Sequence, residues 1–349
     1  MGTVDSTVPM DPEEEGAAMK YVKKILLTLL FPVLMFAVML AITANNPKCY
    51  VNGNFIFLGA DLIRYMITNS CMTICVALAI WLQMKSGRFD FSGGASMVLA
   101  AIVAGNVGLM TNSPVVALIT AVVCGVVLCV VTGLVYILGR MPIIITTIGM
   151  TLLYESLTYL VFGGSGVSEF YMNAHTAIFG RVPMIFIPTI LAVAIFWIYD
   201  NLTVAGRKGK ILSNNQNAGV NIGINENTNV LVSYVFSGMI IGLAAIIYVS
   251  QNVVVPQSGL STSGILFSYI VPVFMGLCLG LASTAVSGSC VSAIGLSIMN
   301  YGLNCLNLGA GGWQQIIMGV FVLCFYTFEA KLPDVLRIFA KFKKTEKSA

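Results

Sequence analysis

The feature that most constrains this chain is where its charges lie. They crowd into the first 24 residues, into short stretches such as Lys85–Asp90 and Arg207–Lys210, and into the tail from Glu329 onward. Between these clusters run uninterrupted apolar segments close to the ~20 residues a helix needs to cross a ~30 Å hydrocarbon core. Only 9% of the 349 residues are charged and 58% are hydrophobic, whereas a soluble domain carries about 25% charged residues. So few charges cannot cover a soluble surface. The sequence therefore predicts an all-α, polytopic membrane protein. Helices are preferred to barrel strands because the runs are continuously apolar rather than alternating.

Ten spans are expected, at 25–43, 62–84, 93–111, 114–138, 142–162, 184–200, 229–250, 265–282, 284–302 and 311–329. Breakers such as Asn45-Asn46-Pro47, Lys85-Ser86-Gly87, Asn112-Ser113-Pro114 and Gly139-Arg140-Met141-Pro142 separate them. The division is an N-terminal tail of residues 1–24, a transmembrane domain of residues 25–329 and a basic tail of residues 330–349. With the N-terminus inside, only Lys48, Arg64 and Arg181 of the 18 lysines and arginines fall outside. The positive-inside rule thus favours ten spans with both termini cytoplasmic. Residues 1–19, with Asp11, Glu13, Glu14 and Glu15, are read as a solvated tail rather than a signal peptide.

Several function classes find no support. No G-x-x-x-x-G-K-[ST] phosphate loop occurs. No paired acids, histidine cluster or nucleophile–base set lies within the spans, which argues against a membrane enzyme. The nine cysteines form no C-x-x-C pair, and Cys71 and Cys75, one helical turn apart, are read as buried thiols. His175 is the sole histidine and cannot build a metal site by itself. The net charge of +4 reports topology rather than a nucleic-acid partner. An ion-coupled carrier would carry several intramembrane acids and an inverted repeat, yet Glu155 is nearly alone.

Charge inside a bilayer is costly and marks a cavity or a partner, which singles out Glu155 in the fifth span. Asp90 either pairs locally with Arg88 or shapes the start of the third span, where Gly93, Gly94 and Ala95 allow close packing. Asn304, Gln314 and Gln315 either hydrogen-bond a polar solute or cap helix ends, and Trp313 is an interfacial anchor or a gate. The polar loop 201–228 reads as a solvated connector or as a short surface helix, with Ala218, Gly219 and Gly223 small enough for a motor subunit to approach.

At this loop the sequence becomes recognisable. Ile211-Leu-Ser-Asn-Asn-Gln-Asn-Ala-Gly-Val-Asn-Ile-Gly-Ile-Asn225 resembles the cytoplasmic coupling segment of ribose/galactose-type ABC transporter permeases. Three further stretches follow in that family's order: Gly87-Arg-Phe-Asp-Phe-Ser-Gly-Gly94, Arg140-Met-Pro-Ile-Ile-Ile-Thr-Thr-Ile-Gly149, and Gly302-Leu-Asn304 with Trp313-Gln-Gln-Ile-Ile-Met-Gly319. The resemblance covers most of the chain from about residue 62. It weakens at Phe274–Ala285, which keeps only part of the family's glycine pattern.

The resemblance implies a bacterial inner-membrane permease subunit that dimerises with a second copy or a homologous permease. A cytoplasmic ATPase, carrying the ATP and magnesium, would drive it, and an extracytoplasmic solute-binding protein would feed it. The chain itself would hold no cofactor and no catalytic site. Asn215, Ala218, Gly219, Gly223 and Ile224 would couple to the ATPase. Asp90, Ser92, Glu155, Asn304, Trp313 and Gln314 would line the pathway or gate. The implied cargo is a monosaccharide; nucleosides, autoinducer-like furanoses and branched-chain amino acids are the alternatives.

Overall fold

The computed structural model describes residues 29–51, 54–280 and 285–309, with isolated positions between 313 and 327. The two tails and most of the expected tenth span lie outside the described residues. Helices occupy the apolar runs: α1 (Leu29–Ala44), α2 (Ala60–Lys85), α3 (Gly93–Thr111), α4 (Pro114–Gly139), α5 (Ile143–Leu160) and α6 (Phe186–Trp197). They continue with α7 (Val204–Asn214), α8 (Gln216–Asn221), α9 (Glu226–Gln251), α10 (Ser261–Gly280) and α11 (Ala285–Cys305). Five of the described helices (α2, α3, α4, α5 and α9) are long and apolar enough to cross a membrane. A sixth is added if α6 and α7, bent by 73° at their junction, count as one. The only sheet among the described residues is a two-stranded hairpin, β1 (Tyr50–Val51) and β2 (Asn54–Phe55).

Local chemistry sets the helix ends. Ser113 caps α4 by accepting from the Val116 amide, and Pro114 supplies a preset φ at the first position. Asn225 caps α9 through the Thr228 amide, with Glu226 in the first turn. Asn112 and Arg140 end α3 and α4 in the left-handed conformation.

The core is built on α2, α3 and α9, with one face of α4 packed across α9. Helix α9 is buried along most of its length, and α3 is buried from Gly93 through Ile102. Where α4 crosses α9 the backbones touch: a Cβ at Gly125 would stand 2.6 Å from the Gly238 carbonyl oxygen, and one at Gly242 only 2.5 Å from that of Ala121. Gly238 and Gly242 are four residues apart, the small-xxx-small spacing that lets membrane helices approach. The opposite face of α4 exposes Val115, Ile119, Val123, Val127 and Leu134. An apolar stripe of that length suits lipid rather than water.

The loop expected at 201–228 is not one connector or one surface helix. It folds as α7 and α8 with a break at Asn215, and α9 begins at Glu226. The chain enters α7 through a π turn, Ile198–Leu202, and Thr203 caps the new helix through the Gly206 amide.

Candidate functional site

Two helices begin inside the bundle, side by side. A Cβ at Gly94, in the first turn of α3, would stand 2.6 Å from the carbonyl oxygen of Thr262, in the first turn of α10. Each of these N-termini leaves amide groups without helical partners and carries partial positive charge. Each is met by a buried carboxylate. The Asp90 Oδ1 accepts from the Ser92 amide (2.8 Å) and hydroxyl (2.7 Å) at the head of α3. The Glu155 Oε2 accepts from the Leu260 amide (2.8 Å), and its Oε1 accepts from the Thr262 amide (2.8 Å) and hydroxyl (2.6 Å) at the head of α10.

Glu155 is 1% exposed, so it does not snorkel. It fastens the chain before α10 to α5. The neighbouring Thr158 Oγ1 strengthens the clamp by accepting from the Gln257 amide at 3.0 Å. Glu155→Gln replaces a charged acceptor with a half-donor amide. It should lower the thermal midpoint of the purified protein by the equivalent of about 1–3 kcal/mol. An unchanged midpoint in a detergent thermal scan would remove this role.

Asp90 makes no local ion pair with Arg88. The two side chains part: Asp90 turns forward to Ser92, whereas Arg88 Nη2 donates to Asn229 Oδ1 (3.2 Å) and Ser233 Oγ (2.9 Å) on α9. Burial pushes the Asp90 carboxyl above its ordinary value, and the Ser92 hydrogen bonds pull it partway back. Ser92 Oγ also lies 3.4 Å from Thr132 Oγ1, which contacts the Tyr154 hydroxyl at 3.1 Å. The α3 cap therefore ties α4 and α5 together.

A relay runs from Arg88, two residues before the cap, to α7. Asn229 Nδ2 donates to the Ala205 carbonyl on α7 (2.7 Å), so Asn229 bridges α7 and Arg88. Below it, α7 sits on the end of α2 through glycine contacts. A Cβ at Gly209 would meet Ser86 Oγ at 2.9 Å, and one at Gly87 would meet the Ser213 Cα at 3.0 Å. Asp200 pairs with Lys85 from α2 and with Lys210 from α7 (3.4 Å), closing the elbow.

The expected coupling residues occupy the outer corner of that elbow. Asn215 Oδ1 accepts from the Ala218 amide (3.0 Å), so Asn215 caps α8. Asn215, Ala218 and Gly223 are exposed, while Gly219 and Ile224 are buried. Gly219 does not await a partner: a Cβ there would meet Leu212 Cδ2 at 2.8 Å, so its smallness closes α8 onto α7. Gly223 adopts φ +87° with open space where a Cβ would point. Ile211, Val220 and Ile222 remain exposed around the corner.

At the opposite end of α2, two adjoining cavities of about 220 Å³ and 690 Å³ share Tyr65, Asn69 and Tyr269. The smaller adds Thr73, Ser268, Ser297 and Asn300; the larger adds Arg64, Arg181 and Gln251. The sequence reading missed these residues. Tyr65, Asn69 and Thr73 recur every four residues on α2, as Ser297, Asn300 and Asn304 recur at three and four on α11, so each set shares one helix face. That periodicity was the available signal. Asn304 Nδ2 donates to the Tyr65 hydroxyl (3.2 Å) at the rim. Trp313 is exposed, and Gln314 and Gln315 lie outside the described residues.

Helix starts that lie inside a membrane bundle, as those of α3 and α10 do, are a feature shared with solute transporters. Residues 62–326 match the family model described as branched-chain amino acid transport system / permease component, and the chain belongs to that family. It is 23% identical to the ribose import permease protein of Bacillus subtilis, over 83% of this chain and 88% of that protein. It is 26% identical to the galactose/methyl galactoside import permease protein of Escherichia coli, over 76% and 85%. Against the autoinducer 2 import system permease protein of Photorhabdus luminescens it is 25% identical, over 79% and 84%. The protein is a multi-pass membrane permease component of an import system.

Proposed function

We propose that this chain is the membrane subunit of an ATP-driven importer of a monosaccharide. It would have ten spans and cytoplasmic termini, the arrangement the charge distribution favours. The α7–α8 elbow is then the cytoplasmic dock for the ATPase, and the cavities around Asn69 open toward the solute-binding protein. A second permease copy or a homologous permease completes the translocation path. ATP and magnesium belong to the ATPase.

The observation that carries the reading is the unbroken mechanical path from elbow to interior. Movement of α7 is felt by α2 through Gly209 and Ser86, and by Arg88 through Ala205 and Asn229; from Arg88 the main chain runs two residues on to Asp90. The capped helix starts bear on the cargo. Transporters often aim free helix N-termini at a substrate carboxylate, but here Asp90 and Glu155 already occupy both. That favours an uncharged solute such as a sugar over an amino acid. The lining of the smaller cavity agrees, since its tyrosine rings and amide side chains offer stacking faces together with donors and acceptors.

Asn69→Ala tests the route. Ribose or galactose uptake by the assembled transporter should fall about tenfold, which corresponds to ~1.4 kcal/mol, while the ATPase still co-purifies. Wild-type uptake by this variant would remove the cavity from the path.

A further inference from the structure

We propose that a single buried water molecule is a built-in part of the junction between α2, the α2–α3 connector and α9, held by Asp90, Gln83 and Ser237. The three side chains line one small cavity of about 10 Å³. Each presents a buried polar atom with no hydrogen-bond partner: Asp90 Oδ2, Gln83 Nε2 and Ser237 Oγ. Of the eight such atoms among the described residues, three belong to side chains that line this one cavity.

Stoichiometry identifies the occupant. A carboxylate oxygen accepts, an amide nitrogen donates, and a hydroxyl does either. One water can donate to Asp90 Oδ2, accept from Gln83 Nε2 and use a remaining position for Ser237 Oγ. That makes three bonds, the usual number for a buried water. The volume fits too, because one water needs roughly 10–15 Å³ of probe-occupied space. The rest of the wall is apolar, with Val76, Ile80, Met97 and Leu266, so calcium or magnesium would lack the roughly six or more oxygens each requires.

The amide is oriented by its neighbours. Ser233 Oγ lies 3.5 Å from Gln83 Oε1 and accepts from Arg88 Nη2 at 2.9 Å, which engages Gln83 Oε1 and leaves Nε2 without a partner. The water therefore joins the relay at its inner end, linking the Arg88–Ser233–Gln83 chain to the carboxylate that caps α3. Removing it would expose three unmade hydrogen bonds where no bulk water can replace them. The inference rests on packing alone and stands whatever the cargo is.

A high-resolution map of the complete transporter in lipid nanodiscs should show one compact density within hydrogen-bond distance of Asp90 Oδ2, Gln83 Nε2 and Ser237 Oγ. Side chains that instead bond to one another across a closed cavity would overturn the proposal. Thermal scans give an independent arm. Gln83→Met and Ser237→Ala should each lower the midpoint, and the double variant should lower it by clearly less than the sum, because both act on one water. Strict additivity contradicts a shared water. Exchanging sodium for potassium or choline at constant ionic strength should leave the midpoint in place; a sodium-specific rise would replace the water with a cation.

Discussion

Gly242→Leu is expected to yield no monodisperse protein. A Cβ at Gly242 would already stand 2.5 Å from the Ala121 carbonyl oxygen and from the Val122 Cα. These are backbone atoms on a packed helix and cannot swing aside. Leucine adds three more carbons, so α4 and α9 must separate along their crossing, and Gly125 and Gly238 lose their contacts as well. Overpacking a core typically costs 1–3 kcal/mol; here the most extensive helix–helix contact among the described residues opens, and the loss should exceed that range. Size-exclusion chromatography of the detergent extract would show aggregate or nothing. A wild-type peak at the wild-type thermal midpoint would mean that the α4–α9 crossing is wrong. Gly242→Ala, which meets the same atoms with one carbon, should be milder but still destabilising.

The second large effect is expected at the elbow. Gly223 has φ +87° and nothing within 4 Å of its Cβ direction, so a side chain there strains the backbone yet meets no part of its own chain. Left-handed backbone costs about 1–2 kcal/mol for most residues, and asparagine tolerates it best. Gly223→Glu should therefore abolish solute-stimulated ATP hydrolysis, because the added charge enters the surface assigned to the ATPase. Membrane insertion of the permease should persist. Gly223→Asn carries similar backbone strain without charge and should keep most of the coupling. Equal loss in both variants would assign the effect to strain, and full coupling in Gly223→Glu would remove the elbow from the ATPase contact.

The helices were legible because burial in lipid leaves a one-dimensional record: apolar runs between charged punctuation. The α2 start, predicted at 62 and found at Ala60, and the α4 end, predicted at 138 and found at Gly139, differ by one or two residues. The elbow was legible only as polar composition. Its two helices depend on the Asn215 cap and on Gly219 packing against Leu212, which composition does not reveal. Glu155 stood out by its charge, but its partners were hidden because Leu260 and Thr262 lie more than 100 residues away in sequence. For Arg88 and Asp90 the sequence left two readings open, a local pair or a role at the start of α3. In the structure Arg88 turns to α9 and Asp90 to Ser92. The cavity residues were missed because single asparagines within α2 and α11 were not compared along one helix face.

The central claim is that this permease moves an uncharged sugar only when an ATPase drives it. The most direct measurement is uptake of radiolabelled ribose and galactose into proteoliposomes holding the permease, with and without its ATPase and binding protein. Accumulation should require ATP, the ATPase and the binding protein together, and leucine should not compete. Uptake by the permease alone along an ion gradient, or competition by leucine, would contradict the account.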